Sequence, residues 1–387
     1  MTKKIVYSAI AASVMATSAF ATNGATMLSY GTKDKAMGGT GIASANGAMS
    51  AIMNPAMIAD AKEGVSANVT YMMIDVTATR DGGAAKSSKT DTSVVPTIAY
   101  VKPINKNLTV GVDIYGAAGM GVDYASESTL FKMQSELAIL KVTAPIAYKI
   151  DDKLSLGFTP VFASGSLMMA YFASATFDQT ATDTAFSYEV GAAYKASKEL
   201  TVGAVYKAPI SLTYAGVLNS TNGAAKQFQV PNITDELEQP AEMGLGVTYK
   251  MGKSTINLDY KTIAWSSAAG YGDFKWDDQS IIGLGYELDG GAWKARFGYS
   301  TTNTPLTDGT NNAIDVLNAY GFPAVITSHM TFGGAYDVSK AMSVEAAVVL
   351  ASGESYTPSS AIPSFGVTSA AATNDQTNVT IGINYKY

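Results

Sequence analysis

The side chains best equipped for chemistry are few. The chain has one histidine, His329, and no cysteine in 387 residues. A single imidazole excludes a histidine metal cluster, and without thiols there is no disulfide framework, thiolate nucleophile or thiolate metal site. A Ser-His-Asn hydrolase site would have to use His329, yet no nucleophile motif accompanies it. The glycine-rich stretch from Gly38 to Gly41 lacks the flanking strand and helix that a dinucleotide or phosphate loop requires. The expectation is a protein that is not an enzyme, with no cofactor and no metal.

More informative are charges on the polar faces of alternating segments: Lys141, Lys149, Lys207, Asp259, Lys261, Lys294, Arg296 and Glu345. Arg296 and Lys294 stand two apart on one face, with Lys261 on a nearby segment, and form the candidate ligand-binding set. Arginine suits a carboxylate because its planar fork donates two parallel hydrogen bonds. A neutral hydrocarbon would need none of them, and the same cations could instead pair with acids such as Asp259.

The elements that must position these charges are strands. From Gly64 onward, segments of about 10 residues alternate apolar and polar side chains, as in Trp293, Ala295, Phe297 and Tyr299 against Lys294, Arg296 and Gly298. We count about 14, near 64–79, 92–102, 107–117, 139–150, 153–166, 185–195, 199–214, 240–250, 254–264, 277–287, 292–302, 328–337, 341–350 and 377–387. Short connections such as Asp151-Asp152 and Gly252-Lys253 carry turn chemistry. Long ones, around 118–138, 215–239, 303–327 and 351–376, fall on the other end. A soluble sandwich also alternates, so the connection lengths decide for an outer-membrane barrel, with both termini on the periplasmic side.

Composition agrees. The 36 glycines and 22 tyrosines favour strands over leucine-rich helices. Tyr100, Tyr148, Tyr194, Tyr249, Tyr286 and Tyr336 mark strand ends where an interfacial girdle belongs. The last strand ends on Tyr387, the kind of terminus that outer-membrane assembly machinery reads. The net charge of −6 argues against nucleic acid as a partner. Residues 1–21 read as a signal peptide: Lys3 and Lys4, an apolar run from Ile5, and the small-residue end Ala19-Phe20-Ala21. Residues 22–63 lack the two-residue alternation and read as a hatch (plug) domain, leaving 64–387 as the transmembrane β-barrel.

Three local features carry expectations of their own. Asn54, Pro55 and Ala56 form a tight hatch turn, since proline fixes φ and asparagine caps with its side chain. Apolar residues of loop 118–138, among them Met120, Leu130, Phe131 and Met133, are spaced for a short amphipathic helix that either collects a hydrophobic ligand or packs on a neighbouring loop. In the third strand Gly111, Gly116 and Gly119 gather where the alternation fails. A break in a barrel wall needs a residue tolerant of a kink, which makes Gly116 the candidate lateral opening.

The hatch residues Tyr30-Gly31-Thr32-Lys33, Met37-Gly38-Gly39, Gly41 and Asn54-Pro55-Ala56 resemble those of the FadL/TodX outer-membrane transporters. Supporting matches run from Asp259-Tyr260 to Trp265-Ser266, through Trp276, Gly283-Leu284-Gly285-Tyr286 and Arg296-Phe297-Gly298-Tyr299 with Pro305, to Pro323, His329, Gly333 and Tyr336. The resemblance implies a 14-stranded barrel closed by a hatch, and Tyr115-Gly116 is similar to the family's kinked third strand. It implies uptake of hydrophobic small molecules, either long-chain fatty acids or aromatic hydrocarbons. Expected partners are that substrate, outer-membrane lipid and the assembly machinery. The competing reading is a structural or adhesive surface barrel whose long loops bind a host or phage. A general porin would leave its lumen open.

Overall fold

A computed structural model describes residues 22–171, 178–220, 224–308, 312–359, 362 and 366–387. The expected signal peptide lies outside them. Fourteen antiparallel strands form one closed sheet. They are β1 Gly64–Arg80, β2 Thr92–Pro103, β3 Leu108–Asp123, β4 in two pieces Gln134–Thr143 and Ile146–Lys149, β5 Leu154–Ala170, β6 Asp178–Lys195 and β7 Leu200–Lys207. The second half is β8 Glu242–Met251, β9 Ser254–Ile263, β10 Gln279–Asp289, β11 Trp293–Thr302, β12 Ile326–Asp337, β13 Met342–Gly353 and β14 Ala370–Lys386. The sheet closes where β14 runs along all of β1, from Gly64 opposite Lys386 to Arg80 opposite Ala370. β4 divides at Pro145, which has no N–H to donate, while its carbonyl accepts from Gly111 at 2.8 Å.

Alternation sorts side chains as a barrel in lipid requires. On β10, Ile282, Leu284 and Tyr286 face outward and are 39–50% exposed, while Ile281, Gly283, Gly285 and Glu287 face the lumen. The lumen itself has two halves. Along β1 the buried inward residues are Ser66, Asn68 and Thr70 at the periplasmic end, then Met72, Ile74, Val76 and Ala78 toward the outside.

The polar half holds residues 22–63, folded into two short helices, α1 Thr32–Ala36 and α2 Ser50–Met53, and two 3₁₀ turns. The apolar half is filled by the long loops, which carry α3 Ala224–Gln227 and α4 Asn312–Gly321. Ile314, Leu317 and Tyr320 of α4 pack there with a cluster in which Trp265 meets Tyr271 at 4.6 Å and Trp276 at 5.1 Å between ring centroids.

Several boundaries differ from the sequence expectation. The expected strand 199–214 ends at Lys207 as β7, because Pro209 cannot continue the ladder. β14 starts at Ala370 rather than 377, and β3 continues to Asp123. The expected helix in 118–138 is therefore corrected: its ends are strand, paired from Ala118–Ile139 to Asp123–Gln134, and only Ser128–Leu130 turns helically. Met120, Leu130, Phe131 and Met133 are buried in the upper core. The ladder with β4 outcompetes helix formation in so short a segment.

Candidate transport path

The hatch is seated on a belt of glycines in the wall. A Cβ at Gly157 would lie 2.3 Å from Ala56 N, at Gly191 2.0 Å from Asn54 Oδ1, at Gly203 2.3 Å from Ile42 O, and at Gly298 2.0 Å from Gly38 N. Gly246, Gly283 and Gly285 face Ile42, Gly38 and Met37 in the same way, and Gly333 and Gly382 face Ala36 and Thr32. The belt follows the sheet register, with Gly157 opposite Gly191, Gly203 opposite Gly246 and Gly285 opposite Gly298. Removing the side chains lets hatch backbone approach wall backbone.

Asn54 keys the hatch to this belt. Extended at φ −160°, it accepts from Ala56 N through Oδ1 at 3.0 Å, with Pro55 at the first helical position. Its Nδ2 donates to Ile42 O at 2.8 Å, within the hatch, and to Ala192 O on β6 at 3.1 Å.

Charges complete the docking. Asp259 Oδ2 accepts from Gly41 N and Ile42 N at 2.7 and 3.0 Å, and Thr331 Oγ1 accepts from Gly38 N at 2.9 Å. Asp60 pairs with Lys149 and Lys195 at the periplasmic rim; burial raises its carboxyl, but the two ammonium groups outweigh this and hold it low. Burial pushes the Asp34 carboxyl of α1 up to about 7, against the Asn46 hydrogen bond and the Lys33 charge. Burial likewise pushes its neighbour Lys35 down to about 7, with Asp34 opposing.

The three expected ligand cations stand apart. Arg296 donates through Nε to Glu287 at 2.6 Å and through Nη1 and Nη2 to Glu345 at 3.2 Å, while Lys33 of the hatch reaches Glu287 at 3.5 Å. Lys294 lies at the rim, 3.9 Å from Asp289 and 3.8 Å from Asp337. Lys261 sits higher in the lumen, and its Nζ donates to Leu28 O and Gly39 O at 3.3 and 3.4 Å.

Near Gly116 the wall parts. Pairing between β2 and β3 ends at Thr97–Tyr115, although β2 continues along β1 to Thr92 and β3 continues along β4 to Asp123. The β3–β4 register slips at Ala117, between Gly116 and Ala118. From Tyr115 to Val122 every residue of β3 is buried, so this stretch has turned into the lumen. The hatch meets its free edge. Thr26 bridges Ala118, Gly119 N donates to Ala25 O at 3.0 Å, and Tyr30 Oη donates to Ala117 O at 2.8 Å. A Cβ at Gly116 would point across the gap, 2.8 Å from Val95 Cγ1. By contrast, an apolar groove of about 580 Å³ between Ala192, Ala204 and Leu245 faces lipid and is not part of the lumen.

A lipid-facing barrel with a keyed hatch, an apolar upper lumen and a parted wall defines a plugged outer-membrane transport protein. Residues 8–387 match the family described as outer membrane protein transport protein (OMPP1/FadL/TodX), and the chain belongs to that family. It is an outer-membrane protein. The fold is that of a Pseudomonas aeruginosa FadL homologue, with TM-score 0.74 at 16% identity over 94% of this chain and 99% of the other. The Pseudomonas putida toluene transporter TodX gives 0.70 at 17% identity, over 93% and 99%. A protein from Chlorobium limicola, described as uncharacterized in the phosphoenolpyruvate carboxykinase gene 5′ region, is 47% identical over 68 residues. The match spans 17% of this chain and 34% of that relative.

Proposed function

We propose that the chain takes up hydrophobic small molecules by diffusion, receiving them in the apolar extracellular half and releasing them sideways where β2 and β3 part. The observation that carries this reading is the filled lumen beside a parted wall. The hatch occupies the periplasmic half down to its ion pairs, so an axial route would have to break the keyed contacts. The sideways route meets the hatch residues Ala25, Thr26 and Tyr30 along the free edge of β3 and then lipid. A hydrophobic molecule leaving that way never crosses water.

Arg296 and Lys294 face carboxylates, and Lys261 faces hatch carbonyls. This supports pairing within the wall for Arg296 and Lys294 and a hatch-anchoring role for Lys261, in place of the head-group role expected from sequence. The apolar loop side chains are buried in the barrel mouth, which favours transport over an adhesive surface. In the same reading, the β14 terminus at Tyr387 is offered to the assembly machinery.

The test is uptake of labelled oleate and labelled toluene by cells carrying the barrel or its Gly116→Val variant. The added isopropyl group fills the gap against Val95, so uptake of both should fall at least tenfold while the barrel still assembles. Full uptake by the folded variant would refute the lateral route.

A further inference from the structure

The apolar half of the lumen is sealed from outside. Leu130 and Phe131, at the tip between β3 and β4, and Tyr124 beside them are each no more than 1% exposed. The Phe131 ring packs on Phe228 and Tyr320, at 5.5 and 6.1 Å between centroids, so this tip stoppers the barrel mouth. A molecule arriving from the medium must move something there.

The tip, residues 124–133, is built as one piece. Tyr124 N donates to Met133 O at 2.8 Å, Lys132 N to Glu127 O at 3.0 Å and Met133 N to Leu130 O at 3.1 Å. Among the described residues, its backbone-to-backbone hydrogen bonds all stay inside it. The neighbouring loops are instead stitched to one another, with Glu238 N donating to Ala269 O, Asp277 N to Pro305 O and Glu354 N to Val325 O. Side chains at the rim hold the tip down. Arg80, at the end of β1, donates through Nη1 to Thr129 O at 3.1 Å and through Nη2 to Gly366 O at 2.9 Å, and its guanidinium lies 5.0 Å over the Phe131 ring. Its Nε is held by Asp81, which accepts from Ser369 N, so Arg80 is anchored away from the tip. Lys86 pairs with Glu127 at 3.0 Å. Both links face solvent, where such bonds exchange with water at little cost.

Backbone strain acts in the same direction. Phe131 and Lys132 are consecutive left-handed residues, φ 60° and 49°, a state that persists only where surrounding contacts hold it. Below the tip, Asp123 Oδ1 accepts from Ala125 N at 2.9 Å and from Gln134 Nε2 at 3.1 Å across the last β3–β4 pair. Between the tip and the β1–β2 turn lies a pocket of about 450 Å³, lined by Arg80, Lys86, Ser128 and Leu130.

We propose that residues 124–133 form the lid of the entry port, hinged at Asp123 and Gln134, with Arg80 as its catch. This rests on the uptake reading above and adds its first step. As the lid lifts, the pocket widens, Leu130 and Phe131 leave the mouth, and the ligand passes beneath them into the apolar half.

The chain has no cysteine, so introduced thiols act alone. Lys86→Cys with Glu127→Cys, bridged on cells by a flexible bismaleimide that contains a disulfide, ties the lid shut after the barrel has folded. Uptake of labelled oleate and labelled toluene should fall about tenfold or more on bridging and recover on reduction, while the cysteine-free barrel treated alike keeps its rate. Full uptake with the bridge in place overturns the lid. The catch is read separately, on the purified barrel in detergent micelles. Leu130→Cys puts a single thiol under the lid, where a charged maleimide reaches it only when the lid lifts. Arg80→Met should speed that labelling about tenfold in a barrel that keeps its heat-modified gel migration. An unchanged labelling rate overturns Arg80 as the catch. Wild-type cells that take up neither probe would refute the uptake reading itself, whereas full uptake through a bridged barrel refutes the lid and leaves that reading intact.

Discussion

Asn54→Ala isolates the key of the hatch. Asn54 is fully buried and makes three hydrogen bonds: one accepted from Ala56 N, and two donated to Ile42 O and Ala192 O. Alanine removes all three and leaves the Ala56 N–H and the Ile42 carbonyl facing apolar surroundings. At roughly 1 kcal/mol net for the bond to Ala192 O, and 1–3 kcal/mol for each of the two stranded groups, the docked hatch loses about 3–7 kcal/mol. The undocked fraction should then rise roughly 10²- to 10⁵-fold. Single-channel recording in planar bilayers reads this as the frequency of ion-conducting openings, with heat-modified gel migration confirming a folded barrel. Asn54→Asp sharpens the test. It keeps the acceptor for Ala56 N but turns a charge toward two carbonyls, so it should open at least as often as the alanine variant. If the Asn54→Asp barrel behaves like wild type, the residue only caps a turn. A folded Asn54→Ala barrel as quiet as wild type would sink the argument.

Other consequences can be checked separately. Gly298→Val places side-chain atoms where Gly38 N now lies, so it should unseat the hatch and raise conductance without lowering strand content by circular dichroism. Arg296→Met strands Glu345, leaves Glu287 with Lys33 alone, and should cost about 3–5 kcal/mol in urea unfolding, the scale for breaking a buried ion pair. Adding Glu287→Gln and Glu345→Gln should recover most of that loss. The Asp60 clasp has a defined pH sign. Its carboxyl is held below its ordinary value in the fold, so the clasp is fully present above that value and is lost as pH falls through the lower, folded one. Hydrogen exchange around residues 57–62 should accelerate over that acid range, and Asp60→Asn should remove the step.

The barrel is legible because its code is local. Each strand announces itself by two-residue alternation, and tight turns such as Asp151-Asp152 fix which ends are short. The upper boundaries of β3, β6 and β14 are not, since there the outward face leaves lipid and polar residues such as Thr180 and Thr182 remove the contrast. The glycines in Gly283-Leu284-Gly285 and Arg296-Phe297-Gly298 are visible as a motif but silent as to purpose. Their partners, Met37 and Gly38, lie in a distant part of the chain, and no local pattern carries that pairing. For the same reason Arg296 looks available from sequence. Its partners Glu287 and Glu345 sit on β10 and β13, where only the register brings all three together.

The glycine belt also dictates an order of events. The hatch is enclosed, with Arg296, Glu287 and Glu345 on the periplasmic side and the loop core on the other, so a finished cylinder would hold it like a ship in a bottle. The vessel must be closed last. The hatch directly precedes β1, and the final seam is the zipper between β14 and β1, in which Gly382 lies against Thr32. Residues 22–63 must therefore already be curled against the nascent sheet when that seam forms. A protease site placed near Ser44 should be cut in barrels stalled before β14 pairs and be protected as soon as it does.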